Sequence, residues 1–474
     1  MKWKLSEICK RLAFPLGMIL VGNAASAAEP VDYFIGKHDK FKQTSGKVVA
    51  SYVANWADPT IVDSIYGNNL THVLYAFMHI CGPGQVEAVN EICSKKSEFQ
   101  LAEDVNSIDK TFATKFAELK QRAPHIKIIP SVGGWGGSAP FVPMTATPDS
   151  RQVFVQSVVD FLKRNPSFDG IDIDWEWPKN IKEGEAYADL MIEIRQAFDL
   201  LEQETGRKYL ITSAIGTHAN NIQNINYVRA EPYMDYIFMM TYDFFGTWSK
   251  GNIGHHTALQ THDSNLAKGY GHGGAQGVRN MLELGIPAEK LVLGVAKYAR
   301  GWDGVTRGPQ GTEIGGSATG LFPKPVNPWD QAGVAVYKRI AEEILGPDGI
   351  GINGFEIRYD SGCDCHYAWR ESDGAFVGFD HPVDVMKKGQ YAMDNKLAGL
   401  FSWEYGQDNG DILNAMNHGV GNELETAKLP IWQSDKVYTK GDKVEYQGRI
   451  YVAKWWTFNN TPGGIYGPWE LAIN

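Results

Sequence analysis

The stretch Phe168-Asp169-Gly170-Ile171-Asp172-Ile173-Asp174-Trp175-Glu176-Trp177-Pro178 constrains this chain more than any other. Its apolar residues alternate with acids, the period of a β-strand, and Pro178 closes the run. Asp172, Asp174 and Glu176 share one parity and leave one face. Ile171, Ile173 and Trp175 leave the other, which must be buried. Such a strand fits a parallel barrel, with helices covering the outside and a reaction site at the C-terminal ends of the strands.

Alternate residues on a strand stand roughly 6 to 7 Å apart. Two carboxylates at that spacing repel by about 2 to 3 kcal/mol at an effective dielectric near 20, or about two pKa units. Three such acids in one cleft do not all ionise near neutrality, so one is expected to hold a proton. Glu176, nearest the strand end, is the expected general acid. Two blander readings are a solvated edge strand and a set of oxygen ligands for a hard cation. Asp-x-Asp-x-Glu does not fit the calcium loop, and the flanking Ile and Trp argue against an exposed edge. Asp169 has the opposite parity and is expected to anchor the strand rather than touch a substrate.

Asp169, Asp172, Asp174 and Glu176 also fit the D-x-x-D-x-D-x-E signature of family 18 glycoside hydrolases, the chitinases. The match extends to Ser131-Val132-Gly133-Gly134-Trp135, Met240-Thr241-Tyr242-Asp243, Lys297-Tyr298-Ala299-Arg300-Gly301-Trp302 and Phe401-Ser402-Trp403-Glu404. From about Lys47 to Gly421 the chain therefore resembles this family, and most closely its secreted bacterial members. The resemblance implies hydrolysis of the β-1,4 linkages of chitin with no metal or organic cofactor. A retaining glycosidase with its own nucleophile needs a second carboxylate about 5 to 5.5 Å from the acid, across the scissile bond. Here the acids are stacked on one strand, and family 18 is substrate-assisted. The sugar's own 2-acetamido oxygen is then expected to attack C1, with Glu176 protonating the leaving oxygen and later activating water. Asp174 would orient the acetamido N–H, Asp172 would share its proton, and Tyr242 with Asp243 would complete the grip.

Met240 and Tyr242 share a parity that faces them into the barrel, with Asp243 at its mouth. The resemblance makes Trp403 the floor beneath the reacting sugar and Trp135 a second platform, since stiff rings offer apolar faces to pyranose C–H groups. Tyr52, Phe77, Tyr298, Arg300 and Trp329 fall where such enzymes line the groove. Ala299 departs from the glycine usual at its position, which touches the local backbone approach and not the chemistry.

Residues 1–27 read as a secretory signal: Lys2, Lys4, Lys10 and Arg11, then an apolar run from Leu12 to Val21, then Ala25-Ser26-Ala27 as cleavage site. The apolar run is too short for a membrane helix, so an exported, extracellular protein with no membrane partner after cleavage is expected. Cleavage removes four basic residues and one acid, taking the net charge from −10 to about −13. That sign disfavours nucleic acid and is indifferent to a neutral polysaccharide; chitin and chitooligosaccharides are the expected partners of a monomer. Cys81 and Cys93 enclose a short Gly-Pro loop and are expected to pair once exported. Cys363 and Cys365 stand one residue apart, which leaves a strained bridge, free thiols or a bridge elsewhere open. His366 lacks the spacing of a zinc site.

Eight strand-like runs alternate with helical patterns between Val48 and Trp403, the (β/α)8 count of a TIM barrel. The acid strand is read through to Glu176. The barrel is assigned to residues 46–420. Residues 303–381 are too many for a structureless loop and are expected to form an α+β insertion walling the groove. After a linker at 421–429, residues 430–473 read as a small all-β module dense in aromatics. Adjacent residues on a strand point opposite ways, so at least one of Trp455 and Trp456 is hard to bury. The run resembles the carbohydrate-binding modules of bacterial chitinases and implies chitin binding. Two alternatives stand beside a chitinase: an endo-β-N-acetylglucosaminidase acting on N-glycans, which the aromatic module disfavours, and a non-catalytic chitin-binding lectin, which the retained Glu176 disfavours.

Overall fold

The computed structural model describes residues 33–262, 272–309, 311–325, 331–425, 430–447, 449–464 and 467–472. The signal segment 1–27, Trp329 and part of the 421–429 linker lie outside the described residues. A boundary between Ala427 and Lys428 divides the chain into two compact units.

Eight parallel strands form the first unit's centre: β1 (Val48–Ala54), β2 (His72–Ile80), β3 (Lys127–Gly133), β4 (Gly170–Asp174), β5 (Leu210–Gly216), β6 (Tyr236–Met240), β7 (Leu291–Ala296) and β8 (Gly399–Trp403). Each pairs with the next, and β8 pairs with β1, which closes the TIM barrel. Outward side chains explain the apolar runs. Ile171, Ile173 and Trp175 join one large core between the strands and their helices, and Trp175 stacks on Phe141 at 5.2 Å. Three of those helices are α1 (Ile108–Arg122), α2 (Pro148–Arg164) and α3 (Ile181–Thr205). Helix α2 starts as its sequence dictates, with Thr147 and Ser150 in a reciprocal capping box and Pro148 in the first turn.

Strand β4 is shorter than its alternation suggests: it ends at Asp174, paired with Gly133, so Glu176 lies beyond the ladder. Asp169 ties the start of β4 to its neighbours, accepting from the Ile128 N–H at 2.8 Å and pairing with Lys120 of α1 at 2.5 Å. At the other end of β2 the register with β3 shifts between Ala76 and Met78, an irregularity that brings Phe77 out of the regular pleat.

Between β7 and β8, the strands Tyr298–Asp303, Gly320–Leu321, Val334–Val336, Glu356–Asp360, Cys365–Arg370 and Ala375–Gly378 form an antiparallel sheet. A helical turn at Tyr337–Ile340 follows the third. Cys81 and Cys93 are bonded, as are Cys363 and Cys365, which resolves the pairing that the sequence left open. Outside the barrel, Phe41–Lys42 pairs antiparallel with Glu423–Leu424.

The second unit is all β. Lys443–Tyr446, Arg449–Ala453 and Trp469–Leu471 make one small sheet, and Val437–Tyr438 pairs with Thr457–Phe458. Tyr438, Val444, Tyr451, Ala453 and Trp469 form its core. Among the described residues, no helix is long and apolar enough to cross a membrane.

Candidate active site

The acids of β4 face the barrel interior, where burial sets their chemistry. Asp172 is fully enclosed and accepts three hydroxyls: Ser131 at 2.6 Å, Thr212 at 2.6 Å and Tyr52 at 3.1 Å. Burial pushes its carboxyl up, and those three donors pull it back. Asp174 has no such help: its Oδ1 is buried with no hydrogen-bond partner among the described residues. Burial, then the charges of Glu176 and Asp172, raise its carboxyl well above the usual range. Glu176, half-buried just past the strand, is pushed up to about 7 by burial and by the Asp243 charge.

Asp243 behaves oppositely. Burial alone would raise it, but His256 Nδ1 at 3.7 Å and Arg300 Nε at 2.8 Å hold its carboxyl well below the usual range. It occupies the left-handed region at φ 58°, which Asp tolerates better than most residues and which turns the chain away after β6. Strand β6 itself stops at Met240, so Tyr242 and Asp243 stand beyond it, with Met240 and Tyr242 packed on the inner cluster that includes Tyr52 and Phe401. The Tyr242 hydroxyl is held strongly neutral by burial and by the charge of Asp174. The site thus offers a carboxyl at Glu176 pushed up to about 7, a second raised carboxyl at Asp174 with a buried oxygen that has no partner among the described residues, and a carboxylate at Asp243 held by a guanidinium.

Aromatic rings surround these acids. Trp403 and Phe77 stack at 5.4 Å, with Tyr52 5.3 Å from Trp403. Tyr298 lies 6.1 Å from Tyr242, and the Arg300 guanidinium lies over the Tyr298 ring at 5.4 Å. Trp135, on the loop after β3, is 85% exposed. Tyr52 differs from its expected place on the groove wall: it is buried and bound to Asp172. Trp329 falls outside the described residues.

Two rings escaped the sequence reading. Trp56 is 66% exposed and lies 6.2 Å from Trp403; Trp248 is 63% exposed beneath Arg300 at 5.3 Å. The signal was available, because both stand on the segments that follow the C-terminal ends of barrel strands, Trp56 after β1 and Trp248 after β6. His256 was also missed, since only the fold brings its fully buried ring to Asp243. As for metals, His255, Cys363 and Cys365 bring ligand atoms within 4.8 Å of one another, but both sulfurs are committed to their own bond.

In the second unit Trp455 and Trp456 are 51% and 62% exposed, next to Thr457, which is buried.

Known proteins resemble this chain in sequence and fold. The profile described as "Glycosyl hydrolases family 18" matches residues 48–408, and "Carbohydrate-binding module family 5/12" matches residues 431–470. Chitinase A of Pseudoalteromonas piscicida is 37% identical over 434 residues, covering 79% of this chain and 52% of its own length. This chain thus spans about half of that relative. A probable endochitinase of Orgyia pseudotsugata multicapsid polyhedrosis virus is 33% identical, covering 82% of this chain and 76% of the viral protein. Among solved structures, a family 18 N-acetylglucosaminidase from Paenibacillus barengoltzii superposes with a TM-score of 0.62 at 25% identity, over 79% of this chain and 99% of that one. With its acid strand, barrel and C-terminal aromatic unit, this chain belongs to glycosyl hydrolase family 18 and carries a carbohydrate-binding module of family 5/12.

Proposed function

We propose that the protein is a secreted, monomeric chitinase that cleaves β-1,4 linkages between N-acetylglucosamine units with retention and substrate assistance. The observation that carries this reading is the placement of Glu176, half-buried just past the strand end with its carboxyl pushed up to about 7, next to an Asp174 whose buried Oδ1 has no partner among the described residues. A sugar seated on Trp403 would direct its acetamido N–H to Asp174 and its acetamido oxygen to C1. As that oxygen attacks, the C1–O bond breaks and Glu176 gives its proton to the departing oxygen. Water then adds to C1, returns a proton to Glu176 and expels the acetamido oxygen. Tyr242 donates its hydroxyl to the acetamido oxygen, which its held proton permits. Asp243, kept ionised by Arg300, sustains the field that holds the Glu176 proton.

In the second unit, the exposed Trp455 and Trp456, the former with the Lys454 ammonium over its ring at 4.8 Å, are suited to an ordered polysaccharide surface. Release of reducing ends from colloidal chitin by the purified chain, lost in Glu176→Gln, tests the proposal. Glycan release from a high-mannose glycoprotein in place of chitin cleavage would overturn it.

A further inference from the structure

Strand β3 pairs with β4 only as far as Gly133 opposite Asp174, yet the proposed acid stands two residues further on. Its backbone is nevertheless held. The Glu176 N–H donates to Ser138 Oγ at 2.9 Å. The same hydroxyl lies 3.1 Å from the Asp174 carbonyl and 3.1 Å from the Gly134 carbonyl, so its one proton is shared between the two strand ends. The Gly134 N–H donates to the Asp174 carbonyl at 2.8 Å, closing the loop against β4 from the other side. Ser138 is buried, and the Phe141 N–H donates to its carbonyl at 3.2 Å, at the start of the turn that carries Phe141 onto Trp175. Gly133 sits at φ 113°, where a Cβ would strike the Asp174 carbonyl, so the approach is too close for any other residue.

We propose that Ser138 is a positioning residue of the hydrolysis: its hydroxyl supplies the rung the sheet lacks and thereby sets the height of the Glu176 carboxyl above Asp174. A hydroxyl suits the place because it accepts from one backbone and donates to another at once, which no apolar side chain can do. Removing it strips the Glu176 N–H of its acceptor and unties the segment after β4. A displacement of about 1 Å at a reacting group can cost up to about 100-fold in rate.

This inference rests on the reading of Glu176 as the acid, so the experiment separates the two. Hydrolysis of soluble chitooligosaccharides is measured with full-length Ser138→Ala, Ser138→Thr, Glu176→Gln and the Ser138→Ala/Glu176→Gln double variant. Ser138→Ala is expected to lower kcat about tenfold with KM within about twofold. Its alkaline limb should move to lower pH, because an untethered Glu176 gains water and loses part of the burial that keeps its proton. Ser138→Thr, which keeps the hydroxyl, should recover to within about threefold, and the double variant should be no slower than Glu176→Gln alone. Should Ser138→Ala fail to fold, Ser138→Cys, nearly isosteric with a weak acceptor, carries the same expected loss. Wild-type kcat and an unmoved alkaline limb in a folded variant lacking the hydroxyl, with Glu176→Gln inactive, would overturn the role of Ser138 and leave Glu176 standing. Wild-type turnover in Glu176→Gln would instead remove the reading beneath it.

Discussion

At the mouth of the barrel carboxyl groups are withdrawn from water, while in the C-terminal unit two indoles are pushed into it. Both placements run against the ordinary preference of the side chain. Asp172 is tolerated in the interior because three hydroxyls donate to it, whereas Asp174, buried without such donors, answers with a raised carboxyl. Among the described residues, the C-terminal unit's hydrophobic cluster has five buried members, too small to enclose charge, and aromatics are left on the surface. The difference teaches that bond breaking here calls for a large scaffold around a small dry site, whereas adhesion calls for a flat ring and little else.

That contrast can be broken at its strongest point first. Glu176→Gln removes the carboxyl that burial and Asp243 push up to about 7 and should lower kcat on soluble oligomers by about a thousandfold or more, while leaving retention on solid chitin unchanged in a pull-down assay. Next comes the paired loss in the other unit. Trp455→Ala with Trp456→Ala should weaken binding to insoluble chitin by about tenfold or more and leave turnover of soluble trimers and tetramers within about twofold. Loss of soluble turnover in that variant would erase the division of labour.

A subtler probe is electrostatic. Glu176 works as an acid while it holds its proton, so kcat/KM should fall as pH rises through about 7. The Asp243 charge is one cause of that high value, so Asp243→Asn should move the alkaline limb to lower pH. A limb that stays or moves upward in a pH–rate profile would detach Asp243 from Glu176. The smallest effect is expected at Trp135: as an exposed platform and not a packed ring, its change to Ala should raise KM about threefold to tenfold and leave the melting temperature within about 1 °C.

Much of the barrel could be read from its alternation. Val48 and Trp403, which bracket the eight runs in the sequence, are the first residue of β1 and the last of β8. The acid strand misled for a physical reason: side-chain parity continues through Glu176, but the ladder that defines a strand needs a neighbour, and β3 turns away at Gly133. Asp172, Asp174, Glu176, Tyr242, Asp243, Trp403, Phe77, Tyr298 and Arg300 are gathered at one end of the barrel, as the strand order requires. What could not be read was contact between residues distant in sequence. Ser138, His256 and the bond from Tyr52 to Asp172 join residues 38, 13 and 120 positions apart, and no local pattern encodes them. Trp56 and Trp248 were legible in principle, since position past a strand end is a sequence property.

The short pairing of Phe41–Lys42 with Glu423–Leu424 brings the two ends of the barrel unit side by side. The unit is therefore a loop in all but covalent connection. A brief peptide joining those ends, with a new opening cut elsewhere on the surface, should yield a circular permutant that folds to the same barrel.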